Sequence, residues 1–363
     1  MCFEVATMAS SVCLEIITTS AAGEESDTQF LISTGNSKWE KQEKISAIKS
    51  NKWELVDYDS LPEFLKHNEF IHDHYRSEWP LKQTICSVFS LHNETLNIWT
   101  HLIGFFIFLI LTTHAASIFP VAASNPSLSP QSHSGNSSNI LTPLSSPTNN
   151  SSGLGAASPP EQLLISRWPF YLYLSGVMFC LLMSSACHLL CCHSAATCYL
   201  TLRLDYAGIS ALIVSSFYPL VYYTFYCLPF FRNLYLCSIT LFGAAAIAAT
   251  LSPAFESPRF RAARSVLFAC MGASGLVPIA HKMVAFGDRP EAVLSTGYEV
   301  LMGVFYGIGV VVYSARIPER WLPGKFDIAG HSHQLFHVLV IAGAYTHYLA
   351  SVVYLEWREA EGC

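Results

Sequence analysis

The chain has 363 residues, 52% of them hydrophobic and 13% charged, with a net charge of -6 and a mean hydropathy of +0.36. A soluble domain carries about a quarter charged residues, so most of this chain is not an ordinary soluble domain. No basic block offers a nucleic-acid surface, and the twelve cysteines show no pairing pattern of a disulfide framework; Cys180, Cys187, Cys227, Cys237 and Cys270 lie in apolar segments and read as free thiols packed as small apolar groups. Residues 1–56, rich in Ser, Thr, Glu and Lys, read as a disordered tail. They carry Glu4 and no Lys or Arg ahead of a short apolar run, a poor signal peptide, so the chain is expected to insert through its first membrane helix.

Residues 57–95 form a juxtamembrane segment. Leu61, Phe64, Leu65, Phe70 and Ile71 recur at near-helical spacing, which predicts an amphipathic helix ending near Pro80. Seven apolar windows follow over 96–354, near 96–119, 168–190, 204–227, 234–252, 265–286, 296–315 and 331–354. Each is roughly 19–24 residues, enough to cross a ~30 Å hydrocarbon core as a helix. The predicted class is all-α, a seven-helix membrane bundle, with Pro219 and Pro278 kinking their helices. Residues 120–166 read as a flexible Ser/Asn-rich loop with glycosylation sequons at Asn136, Asn149 and Asn150. Residues 355–363 read as a short external tail.

Basic residues set the orientation. Arg203, then Arg259, Arg261 and Arg264, then Arg316, Arg320 and Lys325 follow the even-numbered helices. The opposite loops hold Arg167, Arg232 and Arg289. The N-terminus is therefore expected in the cytosol and the C-terminus outside, with the sequons outside as well. That is the reverse of G-protein-coupled receptors.

Ionisable groups inside membrane spans are functional candidates. Four stand out: His188 near the end of the second helix, Asp205 near the start of the third, and His333 and His337 near the start of the seventh. An even-numbered helix ends on the side where an odd-numbered one starts, so all four share one depth on one side. His333 and His337 are four apart and project about 40° apart from one helical face. Two imidazoles so placed, with His188 as a third, suit Zn²⁺ at ~2.0–2.1 Å. Three protein ligands leave a position for water, for which Asp205 is a candidate general base. Ser184, one turn before His188, is a candidate supporting donor. The bland alternative is a polar cluster holding helices together. Cys191, Cys192, His193 and Cys198 crowd the first cytosolic loop as metal ligands, palmitoylation sites or simply unpaired thiols. His101, His114 and His347 have no partner that spacing suggests.

Several blocks then carry a resemblance: His92 to His101 (HNETLNIWTH), Ser184 to His188, Leu204 to Gly208 (LDYAG), Ala315 to Arg320 (ARIPER), Pro323 to Ile328 (PGKFDI) and Ser332 to Val338 (SHQLFHV). In this order they resemble the progestin and adipoQ receptor family, nearest the adiponectin receptors and plant heptahelical proteins, over roughly residues 57–350. The resemblance implies a seven-helix fold with an internal N-terminus. It also implies zinc held by His188, His333 and His337, with Asp205 reaching it through water and Ser184 nearby. It implies receptor-like signalling, tied in plant-like members to hormone, sugar and abiotic-stress responses, and a ceramidase-like hydrolysis of lipid amides attributed to the animal receptors. The expected partners are a fatty-acyl or sphingolipid molecule in the bundle and a signalling partner at the cytosolic tail, in the plasma membrane or an endomembrane. The loop at 120–166 and the diverged tail depart from the animal pattern where a protein ligand would dock. A cation transporter or channel is the remaining alternative; the clustering of polar groups at one depth argues against it.

Overall fold

A computed structural model describes residues 53–118, 165–252 and 260–363. The tail before residue 53 and nearly all of the 120–166 loop, with its three sequons, lie outside the described residues. The described residues are helical, with one isolated antiparallel bridge between Val56 and Tyr75. After a short helix α1 (Leu81–Cys86) come α2 (Thr95–Ile118), α3 (Trp168–Leu190), α4 (Ala195–Thr224), α5 (Pro229–Leu251), α6 (Arg261–Ala273), α7 (Leu276–Phe286), α8 (Pro290–Ala315) and α9 (Ser332–Glu361). Helices α2, α3, α4, α5, the α6–α7 pair, α8 and α9 make seven spans long and apolar enough to cross a membrane.

Local chemistry sets the ends. Pro169, Pro229 and Pro290 sit in the first turns of α3, α5 and α8, where a missing N–H costs no helical bond. Ser194 caps α4 by accepting from the Thr197 N–H at 3.3 Å. Pro278 has no donor for the Ser274 carbonyl, and the fifth span breaks there, between Ala273 and Leu276. Helix α4, by contrast, runs unbroken through Pro219. His347 Nε2 donates to the Ser216 carbonyl at 2.8 Å, in the turn from which that proline withdraws a donor.

The bundle is inverted relative to a soluble protein. The most apolar stretch of α8 is only 11% buried within the chain, and Ile110, Leu241, Val284 and Val311 project outward, as lipid-facing residues do. Helices α3, α4 and α9 form the centre, with Tyr173, Leu174, Val177, Leu212, Val340 and Ala344 buried among them. Close approach requires small residues: a Cβ on Gly176 of α3 would fall 2.0 Å from Ser215 Oγ of α4.

Four expectations from sequence are corrected. The stretch 57–80 is not an amphipathic helix; it has one short 3-10 turn at Glu63–Leu65, positive φ at His74 and Glu78, and a bridge to Val56. Its apolar residues are nevertheless buried, as Leu61, Leu65, Ile71 and Tyr75 pack with Cys198. Pro80 precedes a helix rather than ending one. Helix α4 starts at Ala195, nine residues before the apolar window, because Ser194 supplies a cap that hydropathy does not register. Helix α9 continues to Glu361 in place of a tail, because its charges are paired. Arg358 donates to the Tyr223 and Thr224 carbonyls at 2.6 and 2.8 Å, Glu359 meets Arg167 at 2.7 Å, and Glu361 meets Arg289 at 2.9 Å. Cys227, read as a free thiol, is bonded to Cys363.

Candidate metal centre

Helix α3 ends two residues after His188, and α9 begins one residue before His333, so the packing of α9 against α3 brings the three imidazoles together. One ring nitrogen from each of His188, His333 and His337 lies within 4.8 Å of the others. His188 Nε2 and His333 Nε2 are 3.0 Å apart. Two nitrogens on one tetrahedral Zn²⁺ at ~2.0–2.1 Å stand roughly 3.3 Å apart, so little movement separates this geometry from ligation.

The outer nitrogens of His188 and His337 are already engaged, which leaves their inner ones for a metal. His188 Nδ1 donates to Glu94 Oε2 at 2.7 Å. His337 Nδ1 donates to the Asn97 carbonyl at 3.2 Å and meets Thr100 Oγ1 at 3.1 Å. Such contacts fix tautomer and ring orientation in metal-binding histidines. Glu94 is itself held by Asn97 Nδ2 at 2.5 Å. Burial works against its charge, yet the facing His188 and the hydrogen bonds from His188 and Asn97 hold its carboxyl well below the ordinary carboxylate range. His337 also stacks on His101, ring centroids 3.6 Å apart at 11°. The donor set of three neutral-capable imidazoles, one backed by a carboxylate, fits Zn²⁺.

Asp205 lies ten residues into α4, rather than at a helix start. It is half-buried, within hydrogen-bonding reach of Ser184 and facing His188. Ser184 is buried on the same face of α3 as His188.

Sequence reasoning left four ionisable residues without a role. Glu94 and His101 fall near the start of the first membrane helix, and that helix starts on the same side as the seventh. The depth rule that collected the histidines would have collected both. Lys282 and Glu299 were also passed over, though each lies inside an apolar window. They are fully or almost fully buried and paired at 2.7 Å, with Lys282 Nζ also on Ser295 Oγ at 3.1 Å and Tyr354 Oη at 2.6 Å. Tyr354 in turn donates to Glu299. Helices α7, α8 and α9 are thus joined by a closed polar network remote in sequence from the histidines.

A family model of haemolysin-III-related proteins matches residues 89–348. Heptahelical transmembrane protein 4 of Arabidopsis thaliana is 52% identical over 350 aligned positions, which cover 86% of this chain and 91% of that protein. Heptahelical transmembrane protein ADIPOR3 of Oryza sativa subsp. japonica is 47% identical, over 94% of this chain and 99% of its own. The adiponectin receptor protein of Drosophila melanogaster is 33% identical over 86% of this chain and 62% of its own length. With the family model spanning the membrane bundle and the imidazole cluster inside it, the chain belongs to the haemolysin-III-related, progestin and adipoQ receptor family of heptahelical membrane proteins.

Proposed function

We propose that this protein is a heptahelical receptor-like membrane protein built around a zinc site of His188, His333 and His337. The N-terminus faces the cytosol, as the basic residues direct, and its signalling serves hormone, sugar or abiotic-stress responses. The observation that carries the reading is the convergence of three imidazoles from α3 and α9 with the His188 Nδ1–H donated to Glu94. The names of the relatives support the receptor-like role. Loss of the protein should blunt one of those responses and restoration by the wild-type chain should rescue it; a loss that leaves all of them unchanged would count against the signalling role.

A second reading, hydrolysis of a lipid amide such as a ceramide, is favoured by one specific observation: Asp205 and Ser184 lie against His188. Zinc held there would polarise an amide carbonyl and lower the pKa of a coordinated water toward ~7. An Asp205 carboxylate oxygen would accept a proton, and Ser184 Oγ–H would orient that carboxylate. The apolar walls of α3, α4 and α9 would take an acyl chain, the lipid partner expected from sequence. Fatty-acid release from ceramide should fall to background in Asp205→Ala protein that retains its zinc. Equal release by the variant and the wild type would rule the reading out. The two readings are compatible, since hydrolysis can be how such a receptor signals.

A further inference from the structure

Outside the three-histidine centre the structure gathers a second set of soft ligands. Cys191 directly follows α3, Cys198 lies in the first turn of α4, and their Cα atoms are 3.9 Å apart across the turn, with the two sulfurs bonded. His67, from the segment that precedes the first membrane helix, places a ring nitrogen within 4.8 Å of both sulfurs. The other two members of the sequence cluster point elsewhere. Cys192 is buried against Thr84 Oγ1 and the Leu189 carbonyl, and His193 Nδ1 donates to the Trp79 carbonyl at 2.9 Å. The ligand that the loop itself lacks therefore comes from 124 residues upstream of Cys191, from a position with no spacing relation to it.

We propose that His67, Cys191 and Cys198 form a second zinc site, open when the two cysteines are reduced, that pins the segment before the first membrane helix to the α3–α4 turn. The basic residues put this turn on the cytosolic side, where thiols are kept reduced. Two equivalents of a glutathione-class thiol supply the two electrons and two protons that open the bond between the sulfurs, and leave joined as their own disulfide. The two Cys thiols then each release a proton on ligating Zn²⁺, and the His67 imidazole adds a neutral nitrogen. Thiolate sulfur at ~2.3 Å and imidazole nitrogen at ~2.0–2.1 Å are the ordinary zinc donor set. Lipid attachment at the loop fits less well, because Cys198 is fully buried among Leu61, Leu65, Ile71 and Tyr75. His67 is exposed, so metal can enter from the cytosol. The segment that metal would clamp also carries Arg76, whose guanidinium donates to the His188 carbonyl at 2.8 Å. The site thus sits at the end of the helix that bears His188, and its state bears on the position of that helix end.

The test uses the full-length chain, purified in detergent and loaded with Co²⁺ in place of zinc. Reduced wild type should show a near-ultraviolet sulfur-to-cobalt charge-transfer band, absent after thiol oxidation and absent in C191S/C198S. A site of three histidines gives no such band, so the result is independent of that centre. H67A should keep the band but bind Co²⁺ at least tenfold more weakly. No sulfur-to-cobalt band in reduced, well-folded wild type would overturn the proposal. So would H67A affinity equal to wild type, or recovery of a bonded Cys191–Cys198 pair from membranes whose thiols were blocked at lysis. Should C191S/C198S fail to fold, the comparison of reduced with oxidised wild type decides the matter alone.

Discussion

Glu94→Gln should weaken zinc binding about tenfold while leaving the fold intact. Glu94 Oε2 accepts from His188 Nδ1 at 2.7 Å and from Asn97 Nδ2 at 2.5 Å, and a Gln side-chain oxygen can occupy the same place. The Gln nitrogen then replaces Oε1, which accepts a weak hydrogen bond from Asn93 Nδ2 at 3.4 Å. The variant therefore keeps shape and hydrogen bond and loses charge. A charged contact contributes about 1.5–3 kcal/mol and a neutral one about 0.5–1.5. The difference of about 1–1.5 kcal/mol corresponds to roughly tenfold in affinity. Glu94→Ala removes the acceptor altogether and should approach the ~100-fold upper range for partners of metal-bound histidines. Competition against a chelator of known affinity, at fixed pH in detergent, reads both. A Glu94→Gln affinity within twofold of wild type would show that the carboxylate does not tune His188 and would refute the reasoning.

Acid stability should report on His92. Burial, and then the Arg76 guanidinium, pushes this imidazole down to about 3. Below its ordinary value near 6.5 the unfolded chain binds a proton that the folded chain refuses, so stability falls as pH drops from about 6.5 toward 3, by about 1.4 kcal/mol per pH unit for that proton. His92→Gln should flatten the fall in melting temperature over that window; an unchanged slope would assign it to other groups. Lys282→Met should destabilise the bundle by about 3–5 kcal/mol, because Glu299 is left buried without its counter-charge, and adding Glu299→Gln should recover much of the loss. Thermal melts of the single and double variants check this, and a harmless Lys282→Met would contradict a closed network.

The spans were legible because the bilayer imposes a length and an apolarity that few other constraints produce. Their ends were less legible, since hydropathy does not see Ser194 as a cap or the pairing of Arg358, Glu359 and Glu361 that carries α9 seven residues beyond its apolar window. The depth of His188, His333 and His337 could be read from helix parity alone. Glu94 and His101 were available to the same rule and escaped because their residue types look ordinary at a helix start. The segment before α1 misled for a different reason. Its burial of Leu61, Leu65, Ile71 and Tyr75 gives near-helical spacing, but Pro62 and the positive φ values at His74 and Glu78 carry it as irregular chain against the α3–α4 turn. His67 is invisible to spacing because its neighbours Cys191 and Cys198 are brought to it only by the packing of that irregular chain.

Metal content tests the central claim most directly. In a C191S/C198S background, which removes the second set of ligands, elemental analysis of purified protein should find about one zinc per chain. Adding His333→Ala and His337→Ala should bring it close to zero while the helical content is retained. An absence of zinc in the well-folded parent, or zinc that survives loss of both imidazoles, would contradict the account and leave the histidine cluster as a polar contact between α3 and α9.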